Sequence, residues 1–158
     1  MREQTCCFTG HRIIPDCDFE RVKQCLEDVV VKAILNGYRY FGVGGALGFD
    51  TLAAQTVLQL KPEYPEIKLI LVLPCLFQTK GWQETDIQIY EWIKKHADKV
   101  VYIGKEYTND CMFKRNRHLV DYSSLCICYC TKNTGGTAYT VNYAKLNGLK
   151  ILNVDELS

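Results

Sequence analysis

Tyr40-Phe-Gly-Val-Gly-Gly-Ala-Leu-Gly-Phe-Asp-Thr-Leu-Ala-Ala-Gln55 reads as a short apolar strand, a glycine-rich turn and the opening turns of a helix. Gly44, Gly45 and Gly48 crowd the turn, and Asp50 and Thr51 stand where the helix begins. Glycines let a chain turn sharply and let a ligand approach backbone N–H groups. A helix start adds unpaired N–H donors and the positive end of the helix dipole, which makes the turn a candidate anion site. In the plainer reading, Asp50 only caps the helix.

The same strand–turn–helix unit recurs on both sides of this stretch. Upstream, Thr5-Cys-Cys-Phe-Thr9 reads as a first strand. Phe19, Val22, Leu26, Val29, Val30, Ala33 and Ile34 then fall on one face of a helix that Asn36-Gly37 ends. Downstream, Ile67-Lys-Leu-Ile-Leu-Val-Leu73 is a continuous apolar run, expected to be buried on both faces as in a parallel sheet. A helix over 84–96, a strand over 99–103, a helix over 111–122 and a strand over 124–130 follow. Asn133-Thr-Gly-Gly-Thr137 is another glycine turn, opening a helix that stops at Asn147-Gly148 before a last strand at 149–153. Alternation of this kind predicts an α/β fold, a Rossmann-like three-layer sandwich with a mostly parallel sheet of about six strands.

The 158 residues suit one domain over 1–158, long enough to bury a sizeable core. A formal net charge of +1 gives no general electrostatic case for nucleic acid or membrane. No apolar run is long enough to span a bilayer, and the N-terminus has no secretory pattern, so a cytoplasmic location is expected. The nine cysteines include no C-x-x-C pair, the spacing by which zinc sites usually announce themselves. They are read as small buried thiols in a reducing compartment, with no metal and no required cofactor.

In an open parallel sheet, ligands bind beyond the carboxyl ends of the strands, and five loops reach that edge. Thr9-Gly10-His11-Arg12 offers a tight turn at Gly10, a titratable donor in His11 and, in Arg12, a guanidinium that can grip a phosphate with two parallel bonds. The Gly44, Gly45, Gly48 turn does not have the dinucleotide-binding spacing, and its Asp50 is suited to sugar hydroxyls or to ordering the turn. Lys114, Arg115 and Arg117 cannot all face one way on a helix. One arginine is therefore expected at the ligand edge beside Asn116, and the other in solvent. Gly135, Gly136 and Thr137 form a second phosphate cradle at a helix start. Gln78 and Trp82 could read and stack a base, although Trp82 could equally pack against the following helix. No nucleophile–base pair is evident, and Asp50 is the best carboxylate for hydrolysis if any occurs.

Phe8-Thr-Gly-His-Arg12, Gly44-Gly-x-x-Gly-x-Asp50, Arg115-Asn-Arg117 and Gly135-Gly-Thr137 resemble the YpsA-like branch of the SLOG superfamily, over almost the whole chain. That superfamily also includes the DprA/Smf single-strand DNA-binding proteins and the LOG nucleoside-monophosphate phosphoribohydrolases. The resemblance implies a Rossmann-like domain that binds a nucleotide or nucleotide-derived ligand, with Gly10, Arg12, Gly44, Gly45, Asp50, Arg115, Asn116, Gly135, Gly136 and Thr137 lining the pocket. LOG enzymes carry a catalytic glutamate in P-G-G-x-G-T-x-x-E. Here Ala138, Tyr139, Thr140 and Val141 follow Gly-Gly-Thr, and that acid is missing. A binding module acting as sensor, carrier or sequestering protein is therefore the leading expectation, with a homodimer or higher homo-oligomer as a further one. Nucleotide N-glycosidic hydrolysis and DprA-like single-strand nucleic-acid binding are the alternatives.

Overall fold

The computed structural model describes residues 1–158. In chain order the regular elements are β1 (Thr5–Gly10), α1 (Asp16–Leu35), β2 (Tyr40–Val43), α2 (Phe49–Leu60), β3 (Lys68–Leu73), α3 (Glu84–His96), β4 (Lys99–Tyr102), α4 (Cys111–Asp121), β5 (Leu125–Tyr129), α5 (Gly136–Leu146), β6 (Lys150–Asn153) and α6 (Val154–Leu157). A short 3-10 turn, Arg2–Gln4, precedes them. No helix is long and apolar enough to cross a membrane.

The strands form one six-stranded sheet in the order β4-β3-β2-β1-β5-β6, and every pairing is parallel. The chain winds outward from β1 to β4, then returns over the sheet to place β5 against the other side of β1. Right-handed crossovers put α1, α2 and α3 on one face and α4 and α5 on the other. The point where winding reverses lies between β1 and β5, where an open sheet leaves a crevice above its strand ends.

The two faces are unequally covered. A cluster of 26 buried residues lies under α1, α2, α3 and α6, built on Phe8, Phe41, Leu69, Leu71 and Ile127. Only nine form the cluster under α4 and α5. Two helices cannot cover six strands, so β3 is not buried throughout, contrary to the reading of its apolar run. Lys68 is exposed and Ile70 half-buried, while Leu71–Leu73 are enclosed on both sides.

Helix ends follow local chemistry. Gly37 and Gly148 take left-handed backbone (φ 100° and 80°) just beyond α1 and α5, which stops both helices. The small α6 has no signal in the apolar pattern. Its start is capped by Asn153, whose Oδ1 accepts from the Asp155 N–H (3.2 Å).

Candidate functional site

Four segments far apart in sequence meet above the gap between β1 and β5. Thr9–Arg12 leaves β1, Ala46 and Asp50 belong to the β2–α2 turn, Met112, Arg115 and Asn116 lie on α4, and Gly136 and Thr137 open α5. Together they line a polar cleft of about 320 Å³. That is the lower end of the size range for small-ligand sites.

Arg115 is the central cation. Its side chain is only 4 % exposed, because α4 turns it inward under the β2–α2 turn. Its Nη1 donates to the Gly44 carbonyl, its Nε donates to Asn116 Oδ1 (2.6 Å), and its Nη2 lies against Met112 Sδ (3.7 Å). All three partners are neutral, and no carboxylate comes within ion-pair distance of it. Burial lowers its affinity for a proton, and the field of Asp50 partly restores it. Five donors on one guanidinium exceed what these partners absorb. The Asn116 amide, with its oxygen engaged by Arg115, is left with its NH2 group as a donor.

Asp50 is the one acid in the cleft, 6 % exposed, in the first turn of α2. Its Oδ2 accepts the Ala46 N–H (3.2 Å). Burial pushes its carboxyl up to about 6, against the opposing pull of Arg115, the Ala46 N–H and Arg12.

The two glycine-rich helix starts, which look alike in sequence, differ in space. At α2 the first helical donor is taken by the protein, since Phe49 N–H bonds the His11 carbonyl (3.1 Å), and in the turn before it Ala46 N–H bonds Asp50. Gly48 takes φ 77° and packs against the Arg12 backbone, locking the β1 loop onto the turn. From this turn Ala46 and Asp50 line the cleft, while Gly44, Gly45 and Gly48 lie behind them. The α5 start is open. Gly135 precedes the helix with φ 98°, no side chain caps the helix, and a Cβ built at Gly136 meets nothing within 4 Å. Its first N–H groups have no intrahelical partners.

Other candidates are engaged by the protein or lie outside the cleft. His11 lines the cleft, but its Nε2 accepts the Thr131 N–H (2.9 Å), so the ring is held neutral and ties the β1 loop to the end of β5. Burial and Lys132 lower its proton affinity further. Gln78 is 8 % exposed and donates from Nε2 to the Gly45 carbonyl (2.6 Å), which makes it a brace for the turn. Trp82 packs edge-on against Tyr90 of α3 (5.5 Å), away from the cleft. Arg117 lies along α5 and donates to the Tyr139 hydroxyl (3.2 Å), and Lys114 is the residue in solvent. All nine cysteines are free thiols. Thr9, at the head of the first candidate loop, lines the cleft, as do Ala46 and Met112, which were absent from the sequence candidates. Met112 could have been found, since it lies three and four residues before Arg115 and Asn116 on one helical face.

The architecture matches solved proteins of low sequence identity. DNA processing protein A (DprA) from Streptococcus pneumoniae superposes with a TM-score of 0.69 at 18% identity, covering 94% of this chain and 49% of that one. DNA processing protein A from Helicobacter pylori, described for its single-stranded DNA binding mode, gives 0.66 at 16%, covering 95% and 64%. The chain thus spans about half and under two thirds of these two, and the likeness is one of fold. Sequence relatives are nearer. A UPF0398 protein from Bacillus thuringiensis (strain Al Hakam) is 32% identical over 132 residues, 82% of this chain and 72% of the relative. One from Bacillus cereus (strain Q1) gives the same values. The profile of the YspA SLOG family matches residues 14–151, from the start of the first crossover to the last strand. With the motifs, the sheet order and these relatives in agreement, the chain belongs to the YspA SLOG family, the YpsA-like branch of the SLOG superfamily.

Proposed function

We propose that the chain binds a mononucleotide or nucleotide-derived phosphate ester in the cleft between β1 and β5. The observation that carries this reading is Arg115, a buried guanidinium with only neutral partners, facing the open start of α5. A buried cation with no ion-pair contact, compensated only through space by Asp50, is costly unless an anion completes it. Arg12 at the exposed rim and the first N–H groups of α5 converge on the same space. The cleft holds two arginines and one acid, a balance suited to a single phosphate group. Sensing, carriage or sequestration of such a ligand follows equally from this chemistry.

Calorimetric titration with ribonucleoside 5′-monophosphates tests the proposal. Micromolar to sub-millimolar binding is expected, with the affinity of Arg12→Ala reduced several-fold. Absence of binding by every nucleotide defeats it. A length series separates the DprA-like reading. The cleft predicts affinity that saturates at one nucleotide, whereas a strand-binding surface predicts affinity rising with oligonucleotide length and falling steeply with salt.

A second reading, N-glycosidic hydrolysis, is favoured by one observation. Asp50 sits in the cleft with its carboxyl pushed up to about 6, in the range useful for acid–base work. Release of free base from a bound nucleotide, abolished in Asp50→Asn, is its signature.

A further inference from the structure

Asp50 is out of place in a pocket built for an anion. Its Oδ2 is held by the Ala46 N–H (3.2 Å), and its Oδ1 receives no donor from the protein. The residue is 6 % exposed and lines the cleft, and Oδ1 is unpartnered without being fully enclosed, so it opens to the ligand space. Such an oxygen repels phosphate and calls for an O–H or N–H donor on the ligand. Arg12, Asp50 and Arg115 line the same cleft, so Asp50 stands close to where the two arginines would hold a phosphate. In a nucleoside 5′-phosphate the sugar hydroxyls are the donors near the phosphate, and the N–H groups of the base stand further out.

We infer that Asp50 Oδ1 accepts a hydrogen bond from a ribose hydroxyl, so that the cleft selects ribonucleotides over their deoxy counterparts. This rests on the mononucleotide reading above and adds the class of sugar. A site whose polar group is left unpaired by an analogue discriminates strongly against it, because Oδ1, open to the cleft in the free protein, is then covered by the ligand without a partner. The Ala46 N–H aligns the carboxylate, and Arg115 keeps it ionised enough to accept.

The experiment titrates the full chain with the four ribonucleoside 5′-monophosphates and with their 2′-deoxy and 3′-deoxy forms at pH 7.5. At least one hydroxyl deletion is expected to weaken binding about tenfold or more, whichever base is carried. In Asp50→Asn, which retains an acceptor for Ala46, the ribo-to-deoxy ratio falls below about threefold; Asp50→Ala provides the same reading without an amide. Ribo and deoxy forms of equal affinity in the wild type overturn the inference while leaving the mononucleotide site standing. Selectivity that persists unchanged in both variants overturns it too. No binding by any nucleotide overturns both.

Discussion

A single side chain, Arg115, separates this cleft from an ordinary sheet edge. Replacing it with methionine keeps length and apolar bulk but removes the charge. We expect nucleotide affinity to fall at least about tenfold, the worth of charge-assisted bonds, while circular dichroism retains the native helix signal. Unchanged affinity would show that phosphate does not sit there. Asp50 gives a pH signature of definite sign. Its proton is held more tightly in the folded chain than in the unfolded one, since burial raises it to about 6. Protonation therefore favours the fold, and this contribution is lost as pH rises from about 4 through 6. Asp50→Asn should flatten the dependence of unfolding free energy on pH in that window. At pH 7 it should stabilise the chain by on the order of 1–3 kcal/mol. A wild-type slope that persists in the variant would mean that another group titrates. Binding of a simple anion that offers Asp50 no hydroxyl should strengthen as pH falls through the same range, best measured with sulfate, whose own charge is constant there.

Among elements, the starts of α2 and α5 carry the lesson about sequence reading. Both are glycine-rich and follow a strand, and nothing in the linear pattern says which one is open. The difference comes from long-range partners. The His11 carbonyl reaches Phe49 N–H and Arg115 reaches the Gly44 carbonyl, contacts that no local spacing encodes. Gln78 and Trp82 show the same limit: the sequence left Trp82 open between stacking a base and packing on the next helix, and only the fold shows it against Tyr90 and Gln78 bonded to the Gly45 carbonyl. Two substitutions separate the roles. Gly136→Val puts a side chain into empty space at the α5 start, where the backbone is unstrained. It should leave the melting temperature within a few degrees and block binding. Gly48→Ala meets the Arg12 backbone at a left-handed φ of 77°, and should cost about 1–3 kcal/mol in chemical denaturation. If Gly136→Val bound nucleotide normally, the α5 start would not be the cradle.

At the scale of the molecule, the fold was largely legible. Strand and helix alternated, and every long element fell within two or three residues of its expected place. The all-parallel sheet follows from crossovers that each contain a helix. Sheet order was less accessible, because the return of β5 to the side of β1 is a tertiary choice. That choice creates the crevice, and it also leaves β3 and β4 thinly covered on the α4–α5 face. Convergence of the loops after β1 and β5 with α4 is thus a property of topology, while the residue types at each loop were visible beforehand.

The central claim is that the α5 start and Arg115 hold a nucleotide phosphate. Backbone amide NMR of the isotopically labelled chain, titrated with ribonucleoside 5′-monophosphates, addresses it most directly. The account predicts saturable shifts, largest at the N–H groups of Gly136, Thr137 and Ala138 and at the Arg115 side chain, and none of these in Gly136→Val. Shifts confined to the loop carrying Gln78 and Trp82, or no saturable shifts at all, would contradict it.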